Sequence, residues 1–194
     1  MIDLNDINNN TISNNWKKRY AEQPIEIKKK LDLLNDSAIK DYQLQVIKRE
    51  KIYPEIGDVF RIAPKKDISL YGVVINNHVD NINGKDLIVI VIFNSQSSIN
   101  NREQMDIMKE ALLLPPQIVG QEYWTKGYFS NIDKIKNVEC KLQYGFYSIG
   151  KKKNCDEYGK EINYKPELFD TFGVATISGI AKRINQELII RGMI

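Results

Sequence analysis

The sequence predicts an α+β protein: a curved, mainly antiparallel β-sheet or partly open small barrel, with N-terminal helices and a C-terminal helix. Three observations carry this. Apolar residues recur at helical spacing over the first fifty residues and again near the end, whereas the stretch between them follows period two. Gly57-Asp58-Val59-Phe60-Arg61-Ile62 followed by Leu70-Tyr71-Gly72-Val73-Val74-Ile75 reads as two adjacent strands. Leu87–Phe93 is an unbroken apolar run of strand length.

Trp16 falls in a short helical stretch, where its bulk and apolar area predict a packing anchor. Pro24 suits a first helical turn, ahead of Ile27, Leu31 and Leu34 at i, i+4 and i+7. Asp36 or Ser37 would cap a second helix carrying Ile39, Tyr42 and Val46, although Tyr42, Leu44 and Val46 also alternate as a strand would. Pro54 ends this pattern. The expected division is a helical extension over residues 1–53 and a β-rich domain over residues 54–194. In that domain Val59, Phe60 and Ile62 mark a strand, Pro64-Lys65-Lys66-Asp67 a connection, and Tyr71–Ile75 the returning partner. Gly72 inside a strand predicts a bulge or tight bend. Asn81-Ile82-Asn83-Gly84 is a turn into Leu87–Phe93, which reads as a central strand covered on both faces.

Asn101 would precede a short helix with Met105, Met108 and Leu112 at i, i+3 and i+7, stopped by Pro115-Pro116. Gln117-Ile118-Val119, Trp124–Phe129 and Lys141–Ile149 read as further β elements. Asp156–Lys160 is a turn with Gly159 at positive φ, and Phe172–Ile177 is the last strand. Ser178 opens a closing helix with Ile180, Ile184 and Leu188 on one face, and Gly192 ends it. There is no internal repeat and no linker long enough to separate two domains.

A chain of 194 residues suits one domain with appendages, since domains run ~100–200 residues. Its 42% hydrophobic and 27% charged residues are those of an ordinary globular protein. A net charge of +3, from 28 basic against 25 acidic residues, is too balanced for a dedicated nucleic-acid binder. The N-terminus lacks the basic-then-apolar order of a secretory signal, and the longest apolar run is far shorter than a membrane span. Cys140 and Cys155 read as free thiols in a reducing compartment. The expectation is a soluble cytoplasmic protein with no membrane partner.

Catalysis needs groups that titrate or ligate, and they are scarce. His78 is the one histidine, which excludes a site with two His ligands; within Asn76-Asn77-His78-Val79-Asp80 it reads as a solvated loop residue between strands. Neither cysteine has a nucleophile's setting, and Gly-x-Gly never occurs. Asp156-Glu157 is the one adjacent acidic pair in the β half, in a turn of solvated mixed charge. Lys28–Lys30 and Lys151–Lys153 sit beside Glu26, Asp32, Asp156 and Glu157 and read as wet surface. The sequence therefore predicts no enzyme, and no catalytic, cofactor-binding or metal residue.

In order, the landmarks are Gly57-Asp58-Val59-Phe60, Tyr71-Gly72-Val73-Val74, Leu114-Pro115-Pro116-Gln117-Ile118-Val119, Trp124-Thr125-Lys126-Gly127-Tyr128-Phe129, Tyr144-Gly145-Phe146 and Asp156-Glu157-Tyr158-Gly159. With the strand–helix end around Phe172-Gly173-Val174, they span about Ile56 to Leu188. This series resembles the bacterial immunity protein 26 family, found beside polymorphic toxin genes. The resemblance implies a cytoplasmic immunity protein that binds and neutralises a cognate protein toxin by occlusion, and it carries over no catalytic residue. Trp124–Phe129 would offer an interface anchor, but Pro115, Pro116, Trp124 and Gly127 read first as scaffold. Toxin contacts are expected on polar loops, at Lys65–Ser69 or the Gly150–Lys160 turn. The competing reading is a small SH3-like-barrel nucleic-acid-binding protein, with Lys28–Lys30 or Lys151–Lys153 against phosphates.

Overall fold

A five-stranded antiparallel sheet organises the computed structural model, which describes residues 8–95 and 103–194. Helices α1 (Thr11–Ala21), α2 (Ile25–Asp36) and α3 (Ile39–Tyr42) come first. Strands β1 (Asp58–Lys65), β2 (Ile68–Asn81) and β3 (Gly84–Phe93) follow, then β4 (Gln104–Asp106), a 3₁₀ turn at Lys109–Ala111 and β5 (Leu112–Val119). Helix α4 (Glu122–Thr125) leads into β6 (Phe129–Lys134), β7 (Asn137–Glu139), β8 (Tyr144–Ser148), β9 (Lys153–Cys155) and β10 (Leu168–Thr171). Helix α5 (Ile177–Ile190) closes the chain. The main sheet runs β5-β3-β2-β1-β6 and does not close. Two small sheets lie apart from it: β4 pairs with β7, and β8 lies between β10 and β9. The pairings β4–β7 and β8–β10 are parallel, while those of the main sheet are antiparallel. The class is α+β, as the sequence predicts.

Period two explains why β3 is apolar throughout. Ile88, Ile90 and Ile92 point to one face and share a core with α2, α3 and α5. Val91 and Phe93 point the other way, onto Met105, Ile107 and Ile135. Leu87 and Val89 join Phe146 and Cys155 on that same side. A strand between two layers has no wet face, so alternation with polar residues would bury unpaired polar groups. On the helical side Leu31, Leu34, Tyr42 and Leu44 pack with sheet residues, so the N-terminal helices share the core of the β-rich region.

Local chemistry sets the helix ends. Thr176 caps α5 by accepting the Gly179 N–H at 3.1 Å. At its other end Met193 N–H reaches Leu188 O and Gly192 N–H reaches Ile189 O, a Schellman closure with Gly192 at φ 67°. Asn10 and Ser13 cap α1 reciprocally.

Several expectations change. Residues 104–112 form β4, the 3₁₀ turn and the start of β5 instead of a helix. Asn101, its expected start, lies outside the described residues. Met105 is buried by the β4–β7 pairing, whereas Met108 is exposed, so the helical spacing was coincidental. Pro115 and Pro116 sit inside β5 and do not terminate an element; β5 is an edge strand, and its ladder shifts register across the pair between Leu114 and Gln117. Residues 122–125 form a helical turn, and only Phe129 onward is strand. The last strand is Leu168–Thr171, and Val174 makes a single parallel bridge to Ile118. The helix expected after Asp36 or Ser37 is α3, four residues long with Ala38 at its N-cap, and Val46 is exposed beyond it. Gly72 pairs regularly with Phe60; a Cβ there would lie 2.3 Å from the Phe60 ring, so close approach rather than a bulge selects glycine.

Candidate functional site

The residues singled out by sequence resolve into bracing. Glu157 accepts hydrogen bonds from Asn76 Nδ2 at 2.8 Å and Tyr144 Oη at 3.0 Å, and Asn81 Nδ2 donates to its carbonyl. These bonds tie the 150–160 turn to the long β2–β3 hairpin. Burial and then the Glu157 charge push the Tyr144 hydroxyl well above the ordinary tyrosine range, so it stays a donor. Asp156 accepts from the Tyr158 and Lys160 N–H groups and folds the turn, with Gly159 at φ 83°. Asp156 and Glu157 thus have different partners and do not converge on a common point.

His78 belongs to β2 rather than to a loop between strands. It is exposed, as expected, with φ 51°, its ring stacked on Tyr53 at 4.5 Å and Nδ1 3.0 Å from Asp86 Oδ1. Trp124 is fully buried; its Nε1 donates to Asn131 at 2.7 Å, and its ring packs edge-on against Phe60 and Phe129. It is scaffold, and the possibility of a Trp124 interface anchor falls. Cys140 and Cys155 are free, and burial pushes the Cys155 thiol up to about 11. Lys28 and Lys30 donate to the carbonyls of Ala21 and Ile194, and Lys153 pairs with Glu161. Among the described residues no group of three His, Cys, Asp or Glu side chains could hold a metal, and no helix is long and apolar enough to cross a membrane.

Sequence reasoning missed a cleft of about 520 Å³ between α1, β5, the 170–176 segment and α5. Leu113, Leu114, Ile118, Val174 and Ile180 supply apolar wall. Two charged clusters interrupt it. In the first, Gln117 Nε2 donates to Asp170 at 2.6 Å, Arg183 Nη1 donates to Gln117 Oε1 at 2.8 Å, and Arg183 pairs with Asp170. In the second, Arg19 of α1 grips Glu187 of α5 with both terminal nitrogens, Nη2 at 2.7 Å, while Arg191 Nε stands 3.8 Å away. The hydrogen bond to Glu187 is the main cause holding the Arg19 guanidinium above its ordinary pKa, against the opposing effect of burial. Glu187 is 5% exposed, and Arg19 and Arg191 are the cations beside it.

Most partners in these clusters are far apart in sequence: Gln117–Asp170, Gln117–Arg183 and Arg19–Glu187 lie 53, 66 and 168 residues apart, and only Glu187–Arg191 is local, at i and i+4. One signal was available: Asn185 and Glu187 interrupt the buried face of α5, where an apolar stripe would be expected.

Comparison with known proteins gives one family. The family described as Immunity protein 26 matches residues 55–157, slightly more than half of the chain. The matched segment holds the whole main sheet and the β8–β9 pair, while α1, β10 and α5 lie outside it. No curated protein and no solved structure matches the chain.

Proposed function

The chain belongs to the immunity protein 26 family, and on that footing we propose that it is a cytoplasmic immunity protein, which binds a cognate toxin and neutralises it by occlusion. The family match is the observation that carries this reading. The side-chain geometry is consistent with it. Occlusion needs a rigid surface and no nucleophile, and the acidic groups that might have served catalysis brace turns instead: Glu157 ties a turn to a hairpin, and Asp156 shapes that turn.

The proposed mechanism is steric. A preformed exterior loses little conformational freedom on binding, so more of its contact energy survives as affinity. The β2–β3 hairpin and the 150–160 turn qualify as preformed, being fastened together through Asn76, Asn81 and Glu157. The polar turns at Lys65–Ser69 and Gly150–Lys160 are proposed contact regions, the second carrying exposed Tyr158.

The test is co-expression with the product of the neighbouring toxin gene. We expect survival and a 1:1 complex burying roughly 1,600 Å². Equal killing with and without this chain would overturn the reading.

A further inference from the structure

Helix α1 lines one side of the cleft without filling it. None of its 11 residues is buried, in contrast to α5, which buries Ile180, Ile184 and Leu188 among others. Trp16 and Tyr20 pack partly on the main core, and Arg19 pairs with Glu187. Beside the helix a cleft of about 520 Å³ stays open. The cleft opens to solvent, so α1 borders it as a wall and is not close-packed into a core there. Ligand clefts of roughly 300–1,000 Å³ are of the same order.

The floor dictates what fits. Glu187 lies at the base, almost fully buried, and calls for a guanidinium with two parallel donors. The walls are aliphatic and suit one large ring. The Asp170 charge is met by Arg183 and Gln117 of the body, whereas Glu187 takes its close cation from α1, with Arg191 of α5 3.8 Å away; from the α1 side the cleft thus receives one aromatic group and one cation. Helix α1 supplies that pair as Trp16 and Arg19, at i and i+3 on one face.

We propose that this cleft is a docking site for an amphipathic helical segment of the toxin that presents an aromatic residue and an arginine one turn apart. Helix α1 is its displaceable stand-in, held in the free protein by Arg19–Glu187 and Trp16. The proposal rests on the toxin-binding reading above. An ordinary intramolecular packing role for α1 would make the helix hard to exchange; a stand-in exchanges readily with a copy of itself.

The probe is a fluorescent synthetic peptide of residues 8–23, added to the full-length protein and read by anisotropy. An Arg19→Glu protein, whose own helix is repelled by Glu187, should bind the peptide at least ten-fold more tightly than the wild type. Replacing Trp16 or Arg19 in the peptide by alanine should weaken binding at least ten-fold. Equal binding by both proteins, or by the altered peptides, overturns the proposal. Hydrogen exchange on the wild-type protein stands as a second measurement should Arg19→Glu fold poorly: α1 amides should exchange at least a hundred-fold faster than the central amides of α5, and equal protection overturns it. Adding the toxin should release the peptide. A toxin that binds and leaves the peptide in place defeats the docking proposal alone, whereas a toxin that does not bind at all defeats the immunity reading beneath it.

Discussion

Helices α1 and α5 face the same cleft from two sides and are held by different forces. Helix α5 is anchored by apolar residues, with Ile180, Ala181, Ile184 and Leu188 each 0% exposed. Helix α1 touches the body through half-buried Trp16 and Tyr20 and a charged pair whose arginine is nearly half exposed. Both are properly capped, so caps do not explain the difference. Burial does: area removed from water stabilises a helix in proportion, while a partly exposed ion pair adds little. The shared cleft thus lies between one deeply packed and one lightly packed helix. The lesson is that a well-formed helix is not thereby a well-anchored one.

The largest expected effect breaks the fixed side. Ile184→Ala removes buried aliphatic volume at the α5–sheet contact and should destabilise the whole protein by about 2–5 kcal/mol. Chemical denaturation should show a lower midpoint with an unchanged slope. Loss below about 1 kcal/mol would mean that α5 is no better anchored than α1, and the contrast would collapse.

The two sides were also unequally legible in the sequence. The apolar stripe of α5 and the run Leu87–Phe93 announce themselves because burial imposes a local period, and both stand where expected. Residues Met105, Met108 and Leu112 imitate a helical stripe, yet the pairing of β4 with β7, some thirty residues away, decides their conformation. Propensity within a window cannot register such a pairing. Pro115-Pro116 reads as the stop of that helix because proline lacks an N–H and restricts the residue before it, whereas the edge position of β5 lets both prolines sit within a strand. The resemblance to the immunity family was visible because glycines, prolines and aromatics fixed by the backbone occur in a recognisable order. The cleft was hidden because Arg19, Gln117, Asp170, Arg183 and Glu187 come from four separate elements, and apart from Glu187, which interrupts an apolar stripe, each looks like a surface polar residue in its own window.

A smaller effect should come from the charged triangle beside α5. Asp170→Ala leaves Arg183 and Gln117 without their shared acceptor at the base of the cleft. Arg183 retains partial access to solvent, which limits the damage to about 1–3 kcal/mol. Thermal unfolding would measure the loss, and Asp170→Asn should recover part of it because an amide oxygen still accepts the Gln117 and Arg183 donors. Full stability in Asp170→Ala would show that the triangle is dispensable and that apolar packing alone fixes this wall.

The smallest effect separates the two helices most sharply, because it changes no residue. Raising salt from ~0.1 M to ~1 M shortens the Debye length from about 10 Å to about 3 Å. Arg19 is nearly half exposed, so its attraction to Glu187 is open to screening; the Ile180, Ile184 and Leu188 contacts of α5 are not electrostatic. Amide exchange in α1 should therefore quicken several-fold across this range while α5 stays within a factor of two. Salt also strengthens apolar burial, which works against the first change and reinforces the second, so a clear acceleration confined to α1 cannot come from a general loosening. If α1 and α5 respond alike, the ion pair is not what holds α1, and Trp16 and Tyr20 must carry its attachment.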